Sequence, residues 1–96
     1  MKRFVWGEAK NSWLKRIRGI SFEEVLEALA EGGLLDTLEH PNPKRHADQK
    51  LFVVRIKEYV HLVPFEETEE AVHLKTIIPS RKATKQYLGE ESDDEA

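Results

Sequence analysis

The 96-residue sequence contains no cysteine. This absence excludes a disulfide framework, a thiolate zinc site and a cysteine nucleophile. No apolar run approaches the length that spans a bilayer, and the opening residues 1–6 lack the apolar core of a signal peptide. We therefore expect a protein of the reducing cytoplasm that does not associate with membranes.

Sequence motifs for metal and nucleophilic chemistry are also missing. The histidines are His40, His46, His61 and His73. Their spacing is not that of metal ligands, so we predict no metal site and no cofactor. No serine lies in a nucleophile elbow, and no glycine-rich loop precedes a helix. We expect the histidines to be structural or solvated, and we keep His61 and His73 as acid or base candidates.

Charge is unevenly distributed along the chain, although the net charge is only −3. Residues 1–18 contain six basic residues and one acidic residue, a charge of +5, and residues 80–88 carry +3. Residues 19–79 carry −6 and residues 89–96 carry −5. If the fold brings the two basic segments together, they form a cationic patch suited to phosphate. Two separate solvated surfaces are the simpler alternative.

Hydrophobic periodicity predicts an α+β fold with a single domain at 1–88 and a disordered acidic tail at 89–96. The predicted architecture has two N-terminal helices packed on an antiparallel sheet of three to four strands, with a short C-terminal helix. The helices are expected from Glu8 to Gly19, from a capping box at Ser21 to Gly32, and from Ser80 to Leu88. The strand patterns are 4–6, 51–56, 59–65 and 72–78, while 34–38 is either a strand or an extended arm.

Strand alternation predicts which residues share a face of this sheet. Phe52, Val54 and Ile56 are expected to pack against the helices, together with Val60 and Leu62. The reverse face then receives Arg55, Tyr59, His61, His73 and Lys75. Such a surface can hold phosphates and stack a base. An ordinary solvated sheet face explains the same residues equally well.

Two sequence stretches resemble a known family. Phe4–Asn11 reads F-V-W-G-E-A-K-N and leads to G-I-S-F-E-E-V at Gly19–Val25, and Ile77–Thr84 reads I-I-P-S-R-K-A-T. They are similar to the F-x-W-D-x-x-K-N…[HR]-G-[IV]-S-F-E-E-A opening and the I-I-S-A-R-K-A-T ending of BrnT-like toxins. The likeness covers nearly all of 1–88. Gly7 stands where the family usually has Asp, and Thr76 where members commonly have Arg.

The resemblance implies a RelE-like fold and a type II toxin that inhibits translation by cutting RNA. It also implies a ribbon-helix-helix antitoxin as partner, in a heterotetramer or larger complex, with the ribosome as a possible further partner. The expected reaction is metal-independent attack of a 2′-hydroxyl on the adjacent phosphate. The predicted catalytic residues are Lys10, His61 and Arg81. The predicted RNA-binding residues are Trp6, Asn11, Arg55, Tyr59, His73, Lys75, Lys82 and Lys85.

Alternatives remain for the roles and for the function. Lys10 lies in the apolar stripe of the first helix, where it either snorkels around the helix end or serves as a partly desolvated base. A non-catalytic toxin-like module that binds RNA or a protein is the main functional alternative, and the changes at Gly7 and Thr76 favour it. An unrelated regulatory or scaffold domain is the third.

Overall fold

A computed structural model describes residues 2–39 and 49–89 of the chain. The elements are β1 (Arg3–Val5), α1 (Glu8–Arg18), α2 (Phe22–Ala30), β2 (Leu34–Glu39), β3 (Gln49–Ile56), β4 (Tyr59–Glu67), β5 (Ala71–Leu74), β6 (Ile78–Pro79) and α3 (Arg81–Leu88). The predicted α+β class and the three helices are confirmed. His40, His46 and the acidic segment 90–96 lie outside the described residues.

Among the described residues, the sheet has six strands of mixed direction, so the prediction of an antiparallel sheet of three to four strands was wrong. The strand order is β1-β5-β4-β3-β2, and β6 pairs with β4 beside β5. β1 and β5 are parallel, with Phe4 opposite Val72, while the other pairs are antiparallel. Periodicity identifies strands but not partners far away in sequence, and for this reason the parallel pair was missed.

The helix ends follow the predicted signals. Gly19 ends α1 in the left-handed region, at φ 68°, and its N–H donates to the Leu14 carbonyl. The Ser21 hydroxyl accepts a hydrogen bond from the Glu24 N–H at 3.2 Å and donates to the Glu24 carboxylate at 3.3 Å. At the start of α3, the Ser80 hydroxyl accepts from the Ala83 N–H at 3.0 Å. All three helices thus begin or end close to the predicted residues.

A two-residue turn sets the faces of the sheet. Lys57 and Glu58 both have positive φ, 55° and 67°, as a tight hairpin between β3 and β4 requires. Ile56 therefore lies opposite Tyr59, and Val54 lies opposite His61. Opposed residues share a face, so the even-numbered residues of β3 lie with the odd-numbered residues of β4. Placing Val60 and Leu62 beside Phe52, Val54 and Ile56 was thus wrong by one residue.

Helices cover both faces of the sheet. On the first face, α1 and α2 enclose the larger core, whose fully buried residues include Leu14, Phe22, Val25, Val54 and Val63. On the second face, α3 packs through Ala83, Tyr87 and Leu88 against Val53, Val60 and Leu62. The Thr84 hydroxyl also accepts a hydrogen bond from the Val60 N–H at 2.9 Å. The reverse face, which was expected to be open, is therefore partly covered by α3.

Candidate functional site

The short strand β6 joins two of the predicted catalytic residues. His61 lies opposite Pro79 in the β4–β6 pair, and the Ser80 N–H donates to the Val60 carbonyl at 3.0 Å. Opposed Cα atoms in an antiparallel pair lie about 4.5–5.5 Å apart, and two further residues add at most about 7 Å. The Cα atoms of His61 and Arg81 therefore lie within roughly 12 Å of each other. Both residues belong to one end of the sheet.

Arg18 connects α1 to this end of the sheet. Its guanidinium donates a hydrogen bond to the Ile77 carbonyl oxygen, although the two residues are 59 positions apart. Ile77 immediately precedes β6, so the basic end of α1 is held beside the start of β6. In the sequence, Arg18 had a sufficient explanation as a cation at a helix C-terminus. No local pattern indicates its contact with Ile77, and Arg18 was therefore missed as a site residue.

Trp13 brings Lys10 to the same region. The Lys10 ammonium lies 4.8 Å from the centre of the Trp13 ring, and the Arg18 guanidinium lies 5.3 Å from it. Both cations are thus held by cation–π contacts with one indole. Lys10 is exposed, so the structure gives it the solvent-exposed position and not the desolvated one on which its predicted role as a base depends.

His61 is half-buried on the face that α1 and α2 cover. Its Nδ1 atom is buried and has no hydrogen-bond partner among the described residues. The Tyr59 ring lies edge-on to the imidazole, with ring centres 5.7 Å apart. Burial lowers the pKa of His61 below its ordinary value, and the Glu24 carboxylate partly offsets this effect. A neutral imidazole, the form that accepts a proton, is therefore favoured near neutral pH.

We call Lys10, Arg18, His61, Arg81 and Lys82, which adjoin β6 from both faces of the sheet, the β6 basic surface; His61 lies on the face of α1 and α2, and Arg81 and Lys82 begin α3 on the other face. Arg81 and Lys82 are exposed on the first turn of α3, and α3 contains no acidic residue. Large apolar side chains are exposed beside these cations, with Ile17 57% and Ile78 40% accessible. Cations with adjoining apolar groups suit a ligand that combines phosphate with flat rings, or a partner protein with an apolar face.

Two predicted RNA-binding residues lie inside the fold. Trp6 is half-buried and stacks on Phe22, with ring centres 5.5 Å apart. Asn11 is 1% exposed. Its Oδ1 accepts from the Phe22 N–H at 2.8 Å, and its Nδ2 donates to the Glu23 carboxylate at 2.9 Å. Both side chains thus have structural contacts that explain their presence without a ligand.

The remaining predicted RNA-binding residues do not form one cluster. Tyr59 lies on the face of His61, whereas Arg55 and His73 lie opposite Val60 and Glu66 on the other face. Lys75 follows β5 and forms an ion pair with Glu66 at 3.5 Å. Lys85 is exposed on α3, one turn beyond Arg81. The predicted grouping is therefore divided between two faces, because the tight hairpin shifts the pairing of β3 with β4 by one residue from our expectation. The residues of this grouping are Arg55, Tyr59, His61, His73 and Lys75.

Metal ligands do not converge in the described part of the chain. Within residues 2–39 and 49–89, no three of the His, Asp and Glu side chains lie close enough together to hold an ion.

None of the helices in residues 2–39 and 49–89 is long and apolar enough to cross a membrane.

Comparison with models of protein families, with curated proteins and with solved structures finds no match for this chain. The likeness to BrnT-like toxins thus rests on the two sequence motifs and stays a prediction.

Proposed function

We propose that this protein is a cytoplasmic RNA endonuclease, the toxin of a type II toxin–antitoxin pair with a RelE-like fold, and that it binds RNA across the β6 basic surface. The observation that carries the proposal is the β4–β6 pairing, which sets His61 opposite Pro79, two residues before Arg81. Arg18 and Lys10 add positive charge there, as phosphate binding requires. The family resemblance supplies the expected reaction.

In the proposed reaction, neutral His61 accepts the proton of an RNA 2′-hydroxyl. The 2′-oxygen forms a bond to the adjacent phosphorus while the bond to the 5′-oxygen breaks. The products are a 2′,3′-cyclic phosphate and a 5′-hydroxyl, whose oxygen takes its proton from a donor, for which Lys10 is the candidate. Arg81 and Lys82 stabilise the added negative charge of the phosphorane. Loss of one such donor typically lowers the rate about 10²–10³-fold.

The proposed partner is a ribbon-helix-helix antitoxin that covers the β6 basic surface. The exposed Ile17 precedes Arg18, and the exposed Ile78 lies in β6 shortly before α3. They support a protein partner, because exposed apolar side chains beside cations favour binding of another protein. An antitoxin seated there would block access of RNA to His61 and Arg81 at the same time.

The test compares wild type with Arg81→Ala. We expect the wild type to inhibit growth when expressed and to cut RNA in the presence of a chelator, with or without ribosomes. Arg81→Ala should lose both effects while its thermal unfolding stays close to that of wild type. Arg3→Ala, which removes another exposed arginine, located in β1 opposite Ala71, is the matched control and should remain active.

Two outcomes would contradict parts of this proposal. A wild-type protein that neither inhibits growth nor cuts RNA would refute the nuclease function. Full activity of Arg81→Ala would remove Arg81 from the site and leave the nuclease function standing.

A non-catalytic binding module is the second candidate. The observation that favours it is the position of Asn11, whose amide is buried and used by Phe22 and Glu23. The exposure of Lys10 also favours a binding module, because an exposed lysine is a poor base and His61 is then the one base candidate on the β6 basic surface. RNA that is bound but never cut by wild type, with Arg81→Ala reducing the binding, would establish this alternative.

A further inference from the structure

The β6 basic surface is followed in the sequence by a segment of opposite charge. α3 carries Arg81, Lys82 and Lys85 and no acidic residue. Directly after Gly89 the sequence reads Glu-Glu-Ser-Asp-Asp-Glu at 90–95, with five carboxylates and no basic residue. Opposite charges this close along a chain attract each other at low ionic strength. The acidic segment 90–95 is therefore the polyanion that lies closest along the chain to the proposed RNA-binding cations of α3.

The length of segment 90–95 is sufficient to reach these cations from the end of α3. Gly89 has φ 66°, and its N–H donates to the Lys85 carbonyl at 3.0 Å. A left-handed cap of this kind turns the chain away from the helix axis. An eight-residue helix is about 12 Å long, whereas six extended residues span up to roughly 20 Å. The extended segment is thus longer than α3, so its carboxylates can contact Arg81 and Lys82 at the start of that helix.

We propose that segment 90–95 docks on the β6 basic surface and competes there with RNA. The competition with RNA rests on the proposed function, whereas the docking of the segment does not. A tethered segment acts at an effective concentration in the millimolar range, and carboxylates neutralise the same cations as phosphates do. No fixed conformation of the segment is required. The protein therefore restrains its own RNA binding, and the restraint weakens as salt increases.

The first experiment detects the contact without RNA. Because the chain has no cysteine, Ser92→Cys gives a single site for a nitroxide label. In isotope-labelled full-length protein, we expect the label to broaden the amide NMR signals of residues 81–85 and 15–18. The broadening should disappear at 1 M salt, where the Debye length is about 3 Å. It should also disappear when Arg81→Glu and Lys82→Glu are combined.

Broadening elsewhere, or none at low salt, would overturn the proposed contact. Mixing labelled chains with unlabelled, isotope-enriched chains separates contact within one molecule from contact between molecules. Broadening in that mixture alone would overturn the intramolecular contact and indicate a second copy as the occupant.

The second experiment measures competition with a single-stranded uridine-rich RNA. The full-length variant carries Glu→Gln and Asp→Asn at positions 90, 91, 93, 94 and 95. We expect it to bind this RNA roughly tenfold more tightly than wild type at about 50 mM salt, and the difference to shrink at about 200 mM. The control variant removes five exposed glutamates elsewhere, with Glu→Gln at positions 27, 31, 39, 69 and 70, and should show a smaller gain.

The outcomes separate this inference from the proposed function. Equal RNA affinity of wild type and the tail variant would overturn the competition while leaving RNA binding intact. An equal gain in both variants would assign the effect to net charge and likewise overturn it. If neither wild type nor the tail variant binds RNA, the proposed function fails, and the competition with RNA fails with it.

Discussion

Asn11→Ala tests whether this buried amide is structural or functional. The substitution removes the acceptor of the Phe22 N–H, which is buried at the start of α2. A buried donor without a partner costs about 1–3 kcal/mol. For a domain of this size, each kcal/mol shifts the melting temperature by roughly 4–8 °C. We therefore expect a clear loss of stability, because the link between α1 and α2 depends on this side chain.

Urea denaturation measures the effect. The midpoint of Asn11→Ala should fall with little change in the slope, which reports the surface exposed on unfolding. Ser12→Ala, an exposed position on the same helix, is the matched control and should unfold with wild type. If the variant has wild-type stability but binds RNA more weakly, the structural role is refuted, and Asn11 is an RNA-binding residue as the sequence predicted.

The same variant has a defined pH dependence. The hydrogen bond from Asn11 holds the pKa of the Glu23 carboxyl below its ordinary value of 4.5. A lowered folded-state pKa contributes stability above that ordinary value, and the contribution is lost as pH falls through the lower value. Asn11→Ala lacks the part of this contribution that the Asn11 hydrogen bond supplies, which is the largest cause of the lowered pKa. The stability difference between wild type and variant should therefore shrink as the pH is lowered below about 4.5.

Two further predictions concern packing and titration. Gly33→Ala should destabilise the protein by about 1–3 kcal/mol in urea, because its Cβ would lie 2.8 Å from the Arg55 carbonyl oxygen and 2.9 Å from that of Ala28. Gly7→Ala is the control with open space around the Cβ, and equal stability of the two variants would contradict the reasoning. The His61 imidazole should titrate by NMR below its ordinary pKa of 6.5, and lower still in Glu24→Gln, because burial lowers this pKa and Glu24 raises it. Wild-type stability should then decrease as pH falls from about 6.5 through the lower value, more than in His61→Phe; a His61 pKa at or above 6.5 would contradict this.

The sequence was sufficient for the helices and most strands because their signals are local. Ser21 and Glu24 specify the start of α2 within four residues, and Gly19 ends α1. The face assignment failed at Lys57 and Glu58, where a two-residue turn shifts the pairing by one residue relative to our expectation. Charged residues without glycine are weak signals for such a turn, since positive φ favours Gly, Asn or Asp.

The candidate site was only partly predictable, since its contacts join distant parts of the chain. The sequence identified His61, Arg81 and Lys82 by residue type and by resemblance. It did not identify Arg18. The partner of Arg18 is the backbone carbonyl of Ile77, and a backbone contact cannot be recognised from the pattern of side chains in the sequence. The buried position of Asn11 likewise depends on α2 crossing α1, which periodicity along one helix does not describe.

The parallel pairing of β1 with β5 has a consequence for the order of folding. Arg3 lies opposite Ala71 in the sheet. β1 can therefore pair with β5 only after nearly three quarters of the chain has been synthesised. Contacts of such long sequence separation slow folding, and during synthesis the early residues leave the ribosome first. The contact of Arg18 with Ile77 and the pairing of His61 with Pro79 also need residues that follow Ala71 in the chain. A nascent chain is therefore without its assembled β6 basic surface until synthesis has passed Arg81.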